Sequence, residues 1–290
     1  MLFLAQNCYD YFTLAKERRR PQLVTISYSH YNEYARWCLE LSKIPFDEHG
    51  FAPGQHILPS ISVRVAKNGS RNFSNSSSMS GGKASPTSLP VLVLENGTVL
   101  KDSWEIAEHC SGLSPIPNDL RELLDMKVGT SSRKYIYSVL LKPLHSSTFT
   151  NMCIENRHWG WRILWHCGFG YFFKVMLTNG LKLNDKAVIK ACIDDIHDLL
   201  NTKLAAYITQ KKTKYIYGDT IGQADIAIAS LCAVLVAPDS YGGRTGTMGP
   251  YINKMLSIDP EFKEFVTKAR ETVVGKYTLQ LYKDYRIPQT

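Results

Sequence analysis

The 290-residue sequence contains no uninterrupted apolar run of membrane-spanning length, no Cys-x-x-Cys pair, no Cys/His cluster at metal-ligand spacing and no Gly-Lys-Ser/Thr in its glycine-rich stretches. Each absence removes a class. A spanning helix needs about twenty consecutive apolar residues. The most aromatic tract, Asn156 to Met176, is interrupted by Arg162, His166 and Lys174, so no integral membrane segment is expected. The seven cysteines (Cys8, Cys38, Cys110, Cys153, Cys167, Cys192 and Cys232) are odd in number and widely spaced. That pattern argues against a disulfide framework and against zinc, and leaves mostly buried thiols in a reducing, cytoplasmic setting. His158 and His166 have no Cys or His partner at ligand spacing, so no metal is assigned. The loop from Pro238 to Pro250 lacks the lysine of a nucleotide-binding loop. The first twenty residues do not read as an export signal. Gln6, Asn7 and Asp10 break their apolar stretch, and Arg18, Arg19 and Arg20 follow it rather than precede it. Residues 1–21 are read as a helical or loosely ordered extension, with organelle targeting or membrane-surface contact as the alternative.

What is present is a globular composition, 44% hydrophobic and 21% charged, long enough for one large or two modest cores. The formal net charge is +8, yet Lys and Arg are scattered, with only Arg18–Arg20 and Lys211–Lys212 as runs. Without a zinc or RNA-recognition signature this predicts a solvated basic surface that attracts small anions, and no nucleic acid.

The chain is organised around Pro86 to Cys110. Val91–Leu94 and Thr98–Leu100 read as a hairpin closed by Glu95-Asn96-Gly97. Asp102 and Ser103 then open a helix whose apolar face is Trp104, Ile106, Ala107 and Cys110. Pro90 cannot donate to a sheet ladder, so it marks a strand start or a turn, with either peptide isomer open. Earlier, Gln22–Ser29 reads as a strand and His30–Ser42 as a helix with Tyr34, Trp37, Cys38 and Leu41 on its core face. Ser60–Ala66 fits a strand or a short helix equally. Lys67–Ser88 is a Ser/Asn/Gly tract with almost no apolar residues, expected to be a surface loop.

The sequence Leu89-Pro90-Val91-Leu92-Val93, an acidic-Asn-Gly turn, Val99-Leu100 and Asp102-Ser103 resembles the second half of the thioredoxin-like domain of cytosolic glutathione transferases. Tyr28-Ser29-His30-Tyr31 with Ala35-Arg36-Trp37 resembles that family's first strand-to-helix turn. The resemblance implies a cis bond before Pro90, glutathione held by the backbone of Leu89, by Pro90, and by Asp102 and Ser103 at its γ-glutamyl end, and a catalytic hydroxyl facing the sulfur. Ser29 matches the family position, with Tyr28 and Tyr31 as neighbouring candidates and His30 a third if the turn differs. A helix N-terminus carries free N–H groups and partial positive charge, which suits an anion. A free thiol has a pKa of about 8.5. One hydroxyl hydrogen bond plus a helix N-terminus lowers it by about one to two pH units, roughly 1.4 to 2.8 kcal/mol.

After Cys110, SGLSPIPND is a natural linker into helices. Leu120–Val128 and Lys134–Leu141 carry helical periodicity broken around Gly129. Asn156–Met176 is read as a helix packed on two sides or one bordering an apolar pocket, and Asp185–Ile208 as an amphipathic helix. Gly222-Gln223-Ala224-Asp225 resembles the family's buried capping box with glycine in the Ser/Thr place. The expected fold is therefore α/β plus all-α: the extension, a thioredoxin-like domain over 22–112 carrying the 67–88 insert, and a helical-bundle domain over 118–286. The resemblance implies a glutathione transferase that adds the glutathione thiolate to an apolar electrophile, with Tyr135 and Trp159 nominated as substrate contacts and a homodimer as the assembly. The competing readings are a binding or scaffolding module with little turnover, and a glutathione-dependent peroxidase or isomerase on the same fold.

Overall fold

Among the described residues, four strands form one mixed sheet in the order β2-β1-β3-β4. β1 (Gln22–Ile26) takes a central place because Leu23 and Val24, which point to opposite faces, are both fully buried. β2 (Asp47–Phe51) pairs parallel with it, which requires a crossover, and α1 (His30–Leu41) supplies one. β3 (Val91–Val93) and β4 (Val99–Leu100) form the expected hairpin, with Gly97 at φ 83° in its turn. α2 (Ile57–Val65) resolves the ambiguous segment as a helix. Its Pro59 sits in the first turn, where a missing N–H costs nothing. α3 (Ser103–His109) follows β4, completing a thioredoxin-like βαβαββα order. The computed structural model describes residues 20–65, 87–243 and 248–286. Most of the amino-terminal extension and residues 67–86 of the Ser-rich tract lie outside the described residues.

The helical half begins with α4, residues 118–140, made of Asn118–Leu123, a π-helical turn Leu124–Gly129 and Thr130–Leu140. The break in periodicity expected around Gly129 coincides with this π-helical turn, through which the helix continues. Gly129 keeps helical angles (φ −64°, ψ −37°), and its missing side chain makes room for Tyr31, whose hydroxyl a Cβ would overlap. α5 (Ser146–Ile154) and α6, residues 159–180, come next. α6 is kinked by Gly168, at φ 116°. Then follow α7 (186–209), α8 (Gln223–Val236), α9 (Met248–Ile258), α10 (Pro260–Glu271) and α11 (Val273–Tyr285).

Every residue of α8 is buried, as expected for a helix apolar all round. α8 packs on α1, so both halves share one hydrophobic core. Asp225 accepts from Gly222 N (2.8 Å) and Ile216 N (3.0 Å) at its start. A Cβ on Gly222 would lie 3.2 Å from Cβ and O of Ser114, which accounts for glycine where a Ser or Thr cap is usual.

α10 crosses into α11 through Gly275, whose Cβ position coincides with the carbonyl of Ala269. Backbone cannot rotate away as a side chain can. Gly275→Ala should therefore destabilise the protein by about 1–3 kcal/mol, outweighing the ~1 kcal/mol helix-propensity gain of alanine. Urea unfolding of the two proteins checks the sign.

α1 also carries charges into the interior. Glu33 and Arg36 are fully buried, and Arg286, at the end of α11, is 3% exposed. Glu33 Oε1 accepts from Arg286 Nε (2.8 Å), Gly242 N (3.1 Å) and the Tyr282 hydroxyl (3.2 Å). Its Oε2 accepts from Arg36 Nη1 (2.7 Å) and Arg286 Nη2 (3.0 Å). Arg36 also donates to both oxygens of Glu48 on β2, and Arg286 pairs with Glu40. The network fastens the last helix to the first βαβ unit.

Candidate functional site

Strand register decides which residues share an edge. Ile26, the last residue of β1, lies opposite Phe51, the last of β2. β3 runs the other way, with Val24 opposite Val91, so its first residues enter the sheet at that same end. Leu92 opposite Leu100 brings the end of β4 there as well. Ser27–Ser29, Ala52–Gln55, Leu89–Pro90 and Lys101–Ser103 thus leave or enter the sheet along one edge. α1 and α3 both start from it, so two sets of leading N–H groups border it.

Ser29 is the N-cap residue of α1, in extended conformation (φ −79°, ψ 134°). Its backbone is used: its N–H donates to Ile26 O (2.9 Å) and its carbonyl accepts from Glu33 N (2.9 Å). Its hydroxyl makes no capping bond, unlike most serines at this position. The neighbouring hydroxyls are engaged. Tyr28 is buried, with its oxygen 3.9 Å from Cys153 Sγ, and burial followed by Cys153 and Tyr137 pushes its pKa well up. Tyr31 donates to Asp125 Oδ1 (2.9 Å) and to the Asp125 carbonyl (3.2 Å). His30 is buried beside Tyr31, and its Nε2 has no partner among the described residues. Burial first, then Arg133, pushes it down to about 3, so the ring is neutral.

Leu89 and Pro90 are joined by a cis peptide bond. The Leu89 side chain packs with Val24, Val63 and Val91, so its backbone is what borders the edge. Asp102 caps α3, Oδ1 accepting from Trp104 N (2.8 Å) and Glu105 N (2.9 Å). Ser103 is 2% exposed at the first position of that helix. The register therefore brings Ser29, Leu89, Pro90, Asp102 and Ser103 to one end of the sheet.

The two nominated aromatic residues differ in exposure. Tyr135 is 5% exposed, packed against Phe262 and Phe265 of α10 with ring centroids 6.4 and 4.0 Å away. Trp159, at the start of α6, is 68% exposed.

Sequence reasoning gave no role to Arg157, between α5 and α6. Its Nη1 donates to Gly50 O on β2 (2.5 Å), while its buried Nε has no partner among the described residues. It lines a cleft of ≈ 220 Å³ between the halves, with Ser27, Glu48, Glu155 and Tyr251. Phe169 of α6 packs over Gly54, where φ is 85° and a side chain would collide with the ring. Segment 157–169 is therefore the part of the helical half that reaches the sheet edge. A lone arginine in an aromatic tract carries no signal of such a contact. Among the described residues no group of His, Cys, Asp and Glu is arranged to hold a metal ion, and no helix is long and apolar enough to cross a membrane.

No family model and no curated protein matches this sequence. Solved structures do resemble it in fold. A glutathione S-transferase from Methylobacillus flagellatus, solved with glutathione bound, is 15% identical over 89% of this chain and 98% of its own, with a TM-score of 0.43. The glutathione transferase URE2P8 from Phanerochaete chrysosporium, with oxidized glutathione, is 9% identical over 93% and 97%, with a TM-score of 0.47. The beta-etherase LigF from a Sphingobium strain is 12% identical over 90% and 99%, with a TM-score of 0.44. At these identities no residue role passes from those proteins to this one.

Proposed function

We propose that this chain binds glutathione along the shared edge, ionises its thiol beside Ser29, and transfers the thiolate to an apolar electrophile. The observation that carries this reading is the hydroxyl of Ser29, free of any capping bond, at the N-terminus of a twelve-residue helix. A hydroxyl there donates to a thiolate without first breaking an internal bond, and the helix N–H groups favour the anion. The backbone of Leu89 pairs with the cysteinyl residue of the tripeptide, and the start of α3 with Ser103 takes the γ-glutamyl carboxylate. Asp102 pairs with the α-amine through Oδ2, a reading supported by Oδ1 alone serving the cap. In the transfer the sulfur lone pair forms the new S–C bond while the electrophile's leaving group departs with its bonding electrons. Trp159, unlike Tyr135, has free surface to offer such a substrate. The described cysteines are unbonded, five of them buried, consistent with work in a reducing cytoplasm, and a homodimer is the assembly proposed.

Calorimetric titration with glutathione tests the binding step. Ser103→Ala should weaken binding roughly 10- to 100-fold, the loss of one hydrogen bond to a charged group. An intact protein that takes up no glutathione would refute the reading. A binding module without turnover is the second reading, favoured by the engagement of Tyr28 and Tyr31, which leaves one hydroxyl for the thiol. Saturable glutathione binding with no conjugation of an aryl halide would select it.

A further inference from the structure

α6 buries one face and presents the other. Trp161, Trp165, Phe169 and Phe173 form a ladder of rings on the inner face, with successive centroids 6.1 Å apart. The outer face carries Trp159, Ile163, Leu164, Tyr171, Phe172 and Met176, all exposed, with Tyr171 at 77% and Phe172 at 61%. With Val175 they are half of the exposed large hydrophobic side chains of the described residues, concentrated in one helix. Of the two readings of this tract, a helix packed on two sides or one bordering an apolar pocket, the first finds no support among the described residues, none of which covers the second side.

Charge identifies what would cover it. From Asn156 to Asn184 there is no Asp or Glu; Arg162 and Lys182 are exposed cations, Arg157 is turned inward to Gly50, and Lys174 is half-buried over Phe149. Arg162, beside Trp159 and Ile163, is exposed on the same stretch of surface. Trp and Tyr with interspersed Arg and Lys on an amphipathic helix is the composition that lies in a lipid interface, rings at headgroup depth and cations on phosphates. A second copy of the chain fits less well, because a two-fold contact would bring Arg162 toward its own counterpart with no acidic residue of α6 to offset it.

We infer that the outer face of α6 is a docking surface for an anionic phospholipid bilayer, on which the protein rests peripherally without crossing it. The natural probe is Trp159. Trp37, Trp104, Trp161 and Trp165, the other four tryptophans, are at most 4% exposed.

The full chain is mixed with vesicles of phosphatidylcholine alone or with added phosphatidylserine, and sedimentation and tryptophan emission are followed. Binding to the anionic vesicles should exceed binding to neutral ones at least tenfold, fall with added salt, blue-shift the emission and shield it from acrylamide. Arg162→Gln should lower partitioning about fivefold, from ~1 kcal/mol per interfacial charge. The triple variant Trp159→Ser, Tyr171→Ser, Phe172→Ser should abolish it while melting like the parent. Absent or equal binding to both vesicles would overturn the inference. So would a solution dimer that the triple variant dissociates, which would assign the face to a second copy.

Discussion

Glu33→Gln should lower the unfolding free energy by about 3–5 kcal/mol, the cost of breaking a buried ion pair from one side. Glu33 receives five hydrogen bonds, four of them from Arg36, Arg286 and Tyr282. Glutamine keeps one oxygen and turns an amide N–H₂ toward guanidinium donors, so Arg36 and Arg286 lose buried hydrogen bonds while keeping one carboxylate each, Glu48 and Glu40. Burial alone would raise the Glu33 pKa; Arg286 and then Arg36 reverse that and hold it below the ordinary glutamate value. The sign of the pH dependence follows. A carboxyl depressed in the folded state stabilises the fold above its unfolded pKa, and that contribution disappears as pH falls through the folded value. Wild type should therefore lose stability on acidification below the ordinary glutamate range, and Glu33→Gln should lose less over the same interval. Thermal melts at neutral and acid pH measure both effects, and matching curves for the two proteins would remove Glu33 from the account.

Ser29→Ala should cut conjugation of glutathione to a generic aryl halide by roughly 8- to 25-fold at neutral pH, the fall in thiolate fraction when the thiol pKa returns by about one to two pH units to ~8.5. The loss should be largest at neutral pH and shrink as pH rises past ~8.5, where free glutathione ionises unaided. Tyr28→Phe should be nearly silent in the same assay, because the Tyr28 hydroxyl faces Cys153. A Ser29→Ala rate unchanged across pH would move the catalytic role elsewhere or to no residue at all.

Three of the four described strands were legible because their signals are local, whereas β2, Asp47-Glu48-His49-Gly50-Phe51, lacks the apolar alternation that would mark it. The β-branched run at β1, the Asn-Gly turn and the Asp-Ser helix start each have one physical meaning. α2 was ambiguous because Ile61-Ser62-Val63-Arg64-Val65 alternates like a strand, and only its place after Pro59 and its Ser60 N to His56 O bond (2.9 Å) make it a helix. At Gly129 the change of period was visible but its use was not, since nothing local shows that the glycine makes room for the ring of Tyr31. The face of α6 that is exposed was illegible, for aromatic residues on both sides of a helix leave no periodic contrast. The Glu33–Arg36–Arg286 network was also hidden, because its last member lies 253 residues along the chain from its first. At the site, the hydroxyl sequence of Tyr28, Ser29 and Tyr31 offered three candidates. Their partners in space, Cys153 and Asp125, come from the helical half and could not be read from the turn itself.

The most direct measurement is a spectrophotometric titration of the glutathione thiolate by its ultraviolet absorbance, with saturating wild-type protein and with Ser29→Ala. With wild type the ionisation should centre about one to two pH units below the free value of ~8.5, and with the variant it should return most of the way. A thiol that ionises at its free value on the wild-type protein, or at the same depressed value on both, would contradict the role given to Ser29.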